Sequence, residues 1–114
     1  MSLTSDLAQF TGTEQYHFNP LYPKLKYTDG VKFFAQKAGA YWFLDIVGTE
    51  LHPHNSKHPF MSINLVVEDS AASIEADDGN GGWLYDRFVE FTDCPTGKYR
   101  FFLVDGVFML TSEY

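Results

Sequence analysis

The spacing of apolar residues changes once along the chain, near residue 60. Between residues 28 and 51, apolar residues recur every three or four positions, which is the period of an α-helix that buries one side. From Phe60 onward they alternate with polar residues, which is the two-residue period of a half-buried β-strand. Helices that come first and strands that follow predict an α+β fold.

The helical part is predicted over about residues 4–51, and its main helix begins at Thr28 and Asp29. The Thr28 hydroxyl can accept a bond from an early amide, and the Asp29 carboxylate favours the positive end of the helix dipole. Gly39 interrupts the pattern, so it either kinks one helix or separates two. The apolar stripe consists of Val31, Phe34, Ala35, Ala38, Trp42 and Ile46.

The segments outside this helical stripe contain prolines or alternate in polarity. Prolines predict an irregular, partly strand-like segment over residues 16–27 and a loop over residues 52–59. Glycine-rich turns at residues 78–82 and 105–106 separate alternating runs. These runs predict strands at residues 60–67, 83–91, 99–104 and 107–110, and a further strand that ends at residue 77.

Together these elements predict one domain, residues 1–114, with a single core. The N-terminal helical half is expected to pack on one face of a four- to five-stranded antiparallel meander over about residues 60–111. With 45% hydrophobic and 20% charged residues, the 114-residue chain has the composition of a folded domain. Because the apolar runs are too short for a membrane span and Cys94 has no disulfide partner, we predict a cytoplasmic protein without membrane contact.

The net charge of −7 lies entirely in the second half of the chain. Residues 1–59 carry five acids and five bases, whereas residues 60–114 carry ten acids and three bases. An acidic surface repels phosphate backbones, which makes nonspecific nucleic-acid binding unfavourable. A basic or neutral protein partner is compatible with this charge, and so is an acidic decoy that imitates nucleic acid.

Three imidazoles, His52, His54 and His58, follow Glu50 and provide the strongest candidate for a metal site, since zinc accepts such ligands. The alternative is a solvated loop stiffened by proline, because neither paired thiolates nor a helical His-x-x-x-His spacing is present.

The Asp77–Gly81 segment resembles a calcium loop only superficially. Placing Gly81 at the invariant glycine would put no acid at either end of the ligand set, so a hairpin turn is predicted.

A second candidate site is a pocket formed by His17, Tyr41, Trp42 and Asp45. A carboxylate among large apolar residues can be a buried acid with a shifted pKa. The alternative places Asp45 at the edge of the apolar stripe, where it faces solvent or forms a hydrogen bond.

Cys94 has no nearby histidine or helix start, so it is predicted to be an unreactive thiol.

Several separate segments stand out between about residues 10 and 114: Thr11–His17, Tyr27–Val31, Ala38–Trp42, Asp77–Gly81 and Ser112–Tyr114. Together and in this order they resemble a family of small bacterial proteins described as a domain of unknown function. The resemblance implies an accessory protein carried by plasmid or phage-derived regions. It assigns no reaction, ligand or catalytic residue.

These observations predict a noncatalytic accessory protein that acts by binding a protein partner or by self-association, with a homodimer as the expected state. No cofactor is predicted. The alternative is a small metal-dependent or acid/base enzyme that uses the His52–His58 loop, with Asp45 or His17 transferring protons. A further alternative is the acidic decoy.

Overall fold

The computed structural model describes residues 3–114, apart from the side chains of Thr4 and Ser5. The helices are α1 (Leu3–Leu7), α2 (Asp29–Ala38) and α3 (Tyr41–Ile46). A π-helical turn (Val47–Leu51) and a 3₁₀ helix (His52–Ser56) continue α3, and a second 3₁₀ helix (Thr111–Glu113) lies at the C-terminus. The strands are β1 (Lys26–Tyr27), β2 (Phe60–Glu68), β3 (Ala71–Asp77), β4 (Trp83–Val89), β5 (Gly97–Val104) and β6 (Val107–Leu110).

Within residues 3–114 these strands form one six-stranded mixed sheet in the order β1-β6-β5-β2-β3-β4. The α+β prediction is therefore confirmed, but the purely antiparallel sheet is wrong because β1 runs parallel to β6. The Lys26 amide donates to the Gly106 carbonyl at 2.9 Å, and the Thr28 amide donates to the Phe108 carbonyl at 3.2 Å. The segment before α2 thus supplies a strand to the sheet.

The predicted meander is also wrong, because β5 returns to the centre of the sheet and pairs with β2. Tyr99, Phe101 and Leu103 of β5 are buried, so this strand needs covered neighbours on both sides. By contrast, β4 is mostly exposed and occupies the edge. Burial therefore determines the strand order more than proximity along the chain does.

Gly39 ends α2 and makes two helices rather than one kinked helix. It adopts the left-handed conformation with φ 62°, and its amide donates to the Ala35 carbonyl. The expected N-terminal helical half is corrected too, since the two longer helices lie mid-chain and α1 has only five residues. Between α1 and α2, Tyr22 and Leu25 form turn bonds and β1 joins the sheet, so this stretch is not helical.

The main core lies between α2, α3 and one face of the sheet. Phe101 lies at its centre, with ring centroids 5.2 Å from Phe34 of α2, 5.3 Å from Phe43 of α3 and 5.0 Å from Phe108 of β6. All four rings are almost completely buried. Helices α2 and α3 therefore pack on one face of the sheet.

The segment predicted as a solvated loop, residues 52–59, is instead helical over His52–Ser56 and is anchored to the sheet. The Asn55 side chain is only 6% exposed and bonds the carbonyls of His58, Pro59 and Leu103 as well as the Gly106 amide.

Among the helices in the described part of the chain, none is both long enough and apolar enough to cross a membrane.

Candidate interaction surface

The face of the sheet opposite the helices is called the outer face here. Because residues directly opposite each other on paired strands point to the same side, the register defines this face. It includes Lys26, Val107, Met109, Lys98, Arg100, Phe102, Val104, Phe60, Ser62, Asn64, Val66, Ser73, Glu75, Asp77, Asp86 and Phe88. The buried residues Ile63, Leu65 and Phe101 alternate with these and point to the helices.

The outer face remains open to solvent over much of its area. Lys98, Arg100, Glu75 and Asp86 are exposed, and the Phe88 side chain is 63% exposed. Ser62 is an exception, because it is fully buried and its hydroxyl accepts a bond from Arg100 Nε at 3.0 Å.

An aromatic cluster occupies one end of the outer face. The rings of Phe60 and Phe102 lie 4.8 Å apart, and the C-terminal Tyr114 packs edge-on against both at 5.5 and 5.2 Å. Arg100 lies over the Phe102 ring at 5.5 Å. Apolar rings with an adjacent guanidinium are the residue types that protein interfaces favour.

The charges of the outer face are separated into two halves. The basic residues Lys26, Lys98 and Arg100 lie on β1 and β5. The acidic residues Glu75, Asp77 and Asp86 lie on β3 and β4, and Glu68 adds one carboxylate at the end of β2. Among the described residues the ion pairs are His17–Asp29 and Arg87–Glu50, so these outer charges have no ionic partner in the same chain.

The edge strand β4 is fixed to the helical layer from its other side. The Tyr85 hydroxyl donates to Glu50 of the π-helical turn at 2.8 Å, and Arg87 pairs with the same carboxylate. The aromatic side chains of Trp83 and Phe88 remain 67% and 63% exposed. The acidic half of the outer face therefore ends at a rigidly held edge with exposed aromatic rings.

Two of the four residues predicted to form a pocket, His17 and Asp45, belong to separate hydrogen-bonded pairs. His17 Nε2 lies 2.8 Å from Asp29 Oδ1, whereas Asp45 is exposed and accepts a bond from the Tyr22 hydroxyl at 2.8 Å. Burial and the bond to Asp45 raise the pKa of Tyr22 above its ordinary value. Of the other two members, Tyr41 is exposed and Trp42 packs half-buried against the core.

The structure does not gather the three imidazoles predicted as metal ligands. His52 is half-buried near Lys24, and burial together with that positive charge lowers its pKa. His54 is exposed, and His58 lies near Asp78, whose pKa is lowered mainly by bonds from the Asn80 and Gly82 amides and to a small extent by His58. Within residues 3–114, no group of three or more histidine, cysteine or acidic side chains is arranged to hold a metal ion.

Three of the segments that carry the family resemblance meet at the start of α2. The Asp29 carboxylate binds His17 and accepts from the Glu14 amide at 3.0 Å. Glu113 accepts from the Thr28 hydroxyl at 2.6 Å and from the Gly30 amide at 3.1 Å. These bonds satisfy early helix amides and hold the C-terminus in place, so we interpret this cluster as structural. Glu113 was not predicted from sequence.

Replacing Asp29 with asparagine is expected to reduce the acid sensitivity of folding. The His17 ring and the Glu14 amide hold the pKa of Asp29 below its usual value of 3.8. The ionised carboxylate therefore stabilises the fold above that pH, and this contribution is lost as the pH falls through the lower folded-state pKa. Urea unfolding from neutral to acidic pH should show a smaller loss for Asp29→Asn than for wild type. Asp93→Asn, at an exposed position, should retain the wild-type pH dependence.

Cys94 is expected to react slowly with thiol reagents in the folded protein. Burial raises the pKa of its thiol to about 11, so little of the reactive thiolate is present at neutral pH. Labelling with a chromogenic disulfide reagent should be slow in native buffer and fast in denaturant. Equal rates in the two conditions would contradict the buried position of Cys94.

The fold and the outer face define an α+β protein whose helical layer covers one face of a mixed sheet. The chain belongs to the family of unknown function DUF6876, whose model matches residues 1–114. This match confirms the predicted membership of a domain-of-unknown-function family. Comparison with curated proteins and with solved structures finds no match to the chain.

Proposed function

We propose that this protein is a noncatalytic interaction module and that the outer face of its sheet is the binding surface. The observation that carries the proposal is the combination of an aromatic cluster at Phe60 and Phe102 with exposed, unpaired charges on the same open face. A sheet face of this composition can bury apolar rings while its charges select the partner.

The surroundings of the candidate catalytic groups favour binding over catalysis. Asp29 orients His17 while accepting the Glu14 amide, and Asp45 receives the Tyr22 hydroxyl, so each carboxylate already takes part in a local contact. The three bases on the outer face also distinguish it from a uniformly acidic imitation of nucleic acid. A protein partner or a second copy therefore explains the surface better than an acidic decoy does.

Photo-crosslinking from the outer face tests this proposal. A benzophenone amino acid replaces the exposed Lys98 on β5, and the matched control carries it at the exposed Lys37 on α2. We expect covalent products to a defined protein from position 98 at several times the yield from position 37, with the second protein identified by mass spectrometry. Equal yields at the two positions would reject the outer face as the binding surface.

The cellular setting is part of the same proposal. We place the protein in the bacterial cytoplasm, as an accessory product of plasmid or phage-derived regions, on the strength of the sequence resemblance and the single buried cysteine. Crosslinking in the native host therefore provides the appropriate conditions for the experiment. An accessory protein of this kind acts through the proteins it contacts.

A further inference from the structure

We propose that the occupant of the outer face is a second copy of the same chain, which deepens the proposed function and rests on it. In this dimer the two sheets pack outer face to outer face around a two-fold axis that runs along β2 near Asn64. Arg100 of each copy then lies opposite Glu75 of the other. The inference follows from how the charges are distributed across the strands.

The register places Asn64 midway between the two opposite charges. Arg100 of β5 pairs with Asn64 on one side, and Glu75 of β3 pairs with Asn64 on the other. Neighbouring strands are about 4.8 Å apart, so each charge lies about one strand spacing from β2. Rotation by 180° about an axis along β2 exchanges these two positions and brings Arg100 over Glu75.

The alternative two-fold axis in the same interface runs across the strands. It would place β5 over β5 and β3 over β3, so bases would meet bases and acids would meet acids. Like charges brought together at an interface oppose association. The division of the outer face into a basic half and an acidic half therefore selects the axis along β2.

The strand on the axis is suited to meet its own copy. Of the outer side chains of β2, Phe60, Ser62, Asn64 and Val66 are uncharged, and the one charged residue, Glu68, lies at the exposed end of the strand, four residues from Asn64. Packed sheets lie about 10 Å apart and cross at about 30°, so residues beside the axis keep the same neighbours despite the twist. Arginine and glutamate side chains are long enough to meet across that separation.

Charge reversal at the two positions provides a direct test. Arg100→Glu and Glu75→Arg should each weaken the homodimer by about tenfold or more, because each change turns two attractive contacts into two repulsive ones. The double variant R100E/E75R should dimerise like wild type. An equimolar mixture of the two single variants should form a heterodimer, since both contacts are then attractive. Sedimentation velocity over a range of concentrations measures all four cases.

The controls separate this contact from effects on folding. Glu75→Arg is the cleaner single variant, because Arg100 also bonds Ser62 within its own chain. Lys37→Glu alters an exposed charge of α2 and should leave dimerisation unchanged. Circular dichroism should show the same fold for every variant.

Three outcomes would overturn the inference: a wild-type chain that stays monomeric, single variants that dimerise normally, or a mixture that fails to restore association. If the wild type is monomeric but position 98 crosslinks to another protein, the proposed function stands and only the second copy is rejected. If position 98 yields no more product than position 37, the proposed function itself fails. The two experiments together therefore distinguish the two failures.

Discussion

Replacing Phe101 with alanine is expected to lower the free energy of unfolding by about 3–5 kcal/mol. The Phe101 ring is fully buried and contacts Phe34 of α2, Phe43 of α3 and Phe108 of β6. Its removal leaves a cavity where both helices meet the sheet, and the backbone of the central strand β5 cannot move to fill it. Domains of this size are stabilised by only about 5–15 kcal/mol, so the loss is a large fraction of the total.

Urea unfolding followed by tryptophan fluorescence measures this change, and the exposed Phe18 offers a matched control. Phe18→Ala removes the same ring from a side chain that is 59% exposed, so its effect should stay within about 0.5 kcal/mol of wild type. Similar losses for the two variants would mean that Phe101 is not the centre of the core. A large loss confined to Phe101→Ala would support the packing described above.

The strands could be predicted because their signals are local. In β2, Ile63 and Leu65 alternate with Ser62 and Asn64, and the structure buries the first pair against the helices. The Asp78–Gly82 turn was predicted from its glycines, and Gly79 and Gly81 do adopt positive φ angles in the β3–β4 hairpin. Each signal involves residues close together in the chain.

The strand order could not be predicted by assuming that consecutive strands pair. The return of β5 to β2 depends on contacts between residues far apart in sequence, such as Asn64 and Arg100. A signal was nevertheless present, because the adjacent Asp86 and Arg87 put a charge on each face of β4, whereas Lys98 and Arg100 of β5 share one face and leave Phe101 and Leu103 on the other. Charged residues favour an edge strand, and buried residues at alternate positions favour a central one. Comparing the two strands would have favoured β4 as the edge.

The candidate surface was only partly visible in the sequence, for the same reason. The excess of acids after residue 60 was evident, but its separation from Lys98 and Arg100 on the outer face depends on the register. The histidines illustrate the converse, since clustering in sequence did not bring His52, His54 and His58 together. Spacing along the chain predicts which side of an element a residue occupies, but not which other elements lie beside it.

Replacing Asn55 with alanine is expected to lower the free energy of unfolding by about 2–3 kcal/mol, because several buried backbone groups depend on this one amide. Its Nδ2 group donates to the carbonyls of His58, Pro59 and Leu103 at 2.8, 3.2 and 3.2 Å. Its Oδ1 atom accepts from the Gly106 amide at 2.5 Å. The side chain therefore ties the 3₁₀ helix to the β5–β6 turn, which alanine cannot do.

Aspartate at the same position distinguishes loss of the amide hydrogen bonds from loss of side-chain volume. Asn55→Asp keeps the shape but replaces the donating Nδ2 group with a carboxylate oxygen that faces three carbonyls, so it should destabilise the fold at least as much as Asn55→Ala at neutral pH. Asn80→Ala, in the exposed part of the β3–β4 turn, should change stability by no more than about 0.5 kcal/mol. Urea unfolding of the three variants decides the matter. If Asn55→Asp were as stable as wild type, the amide donor would not be what anchors residues 52–59, and packing alone would have to hold them.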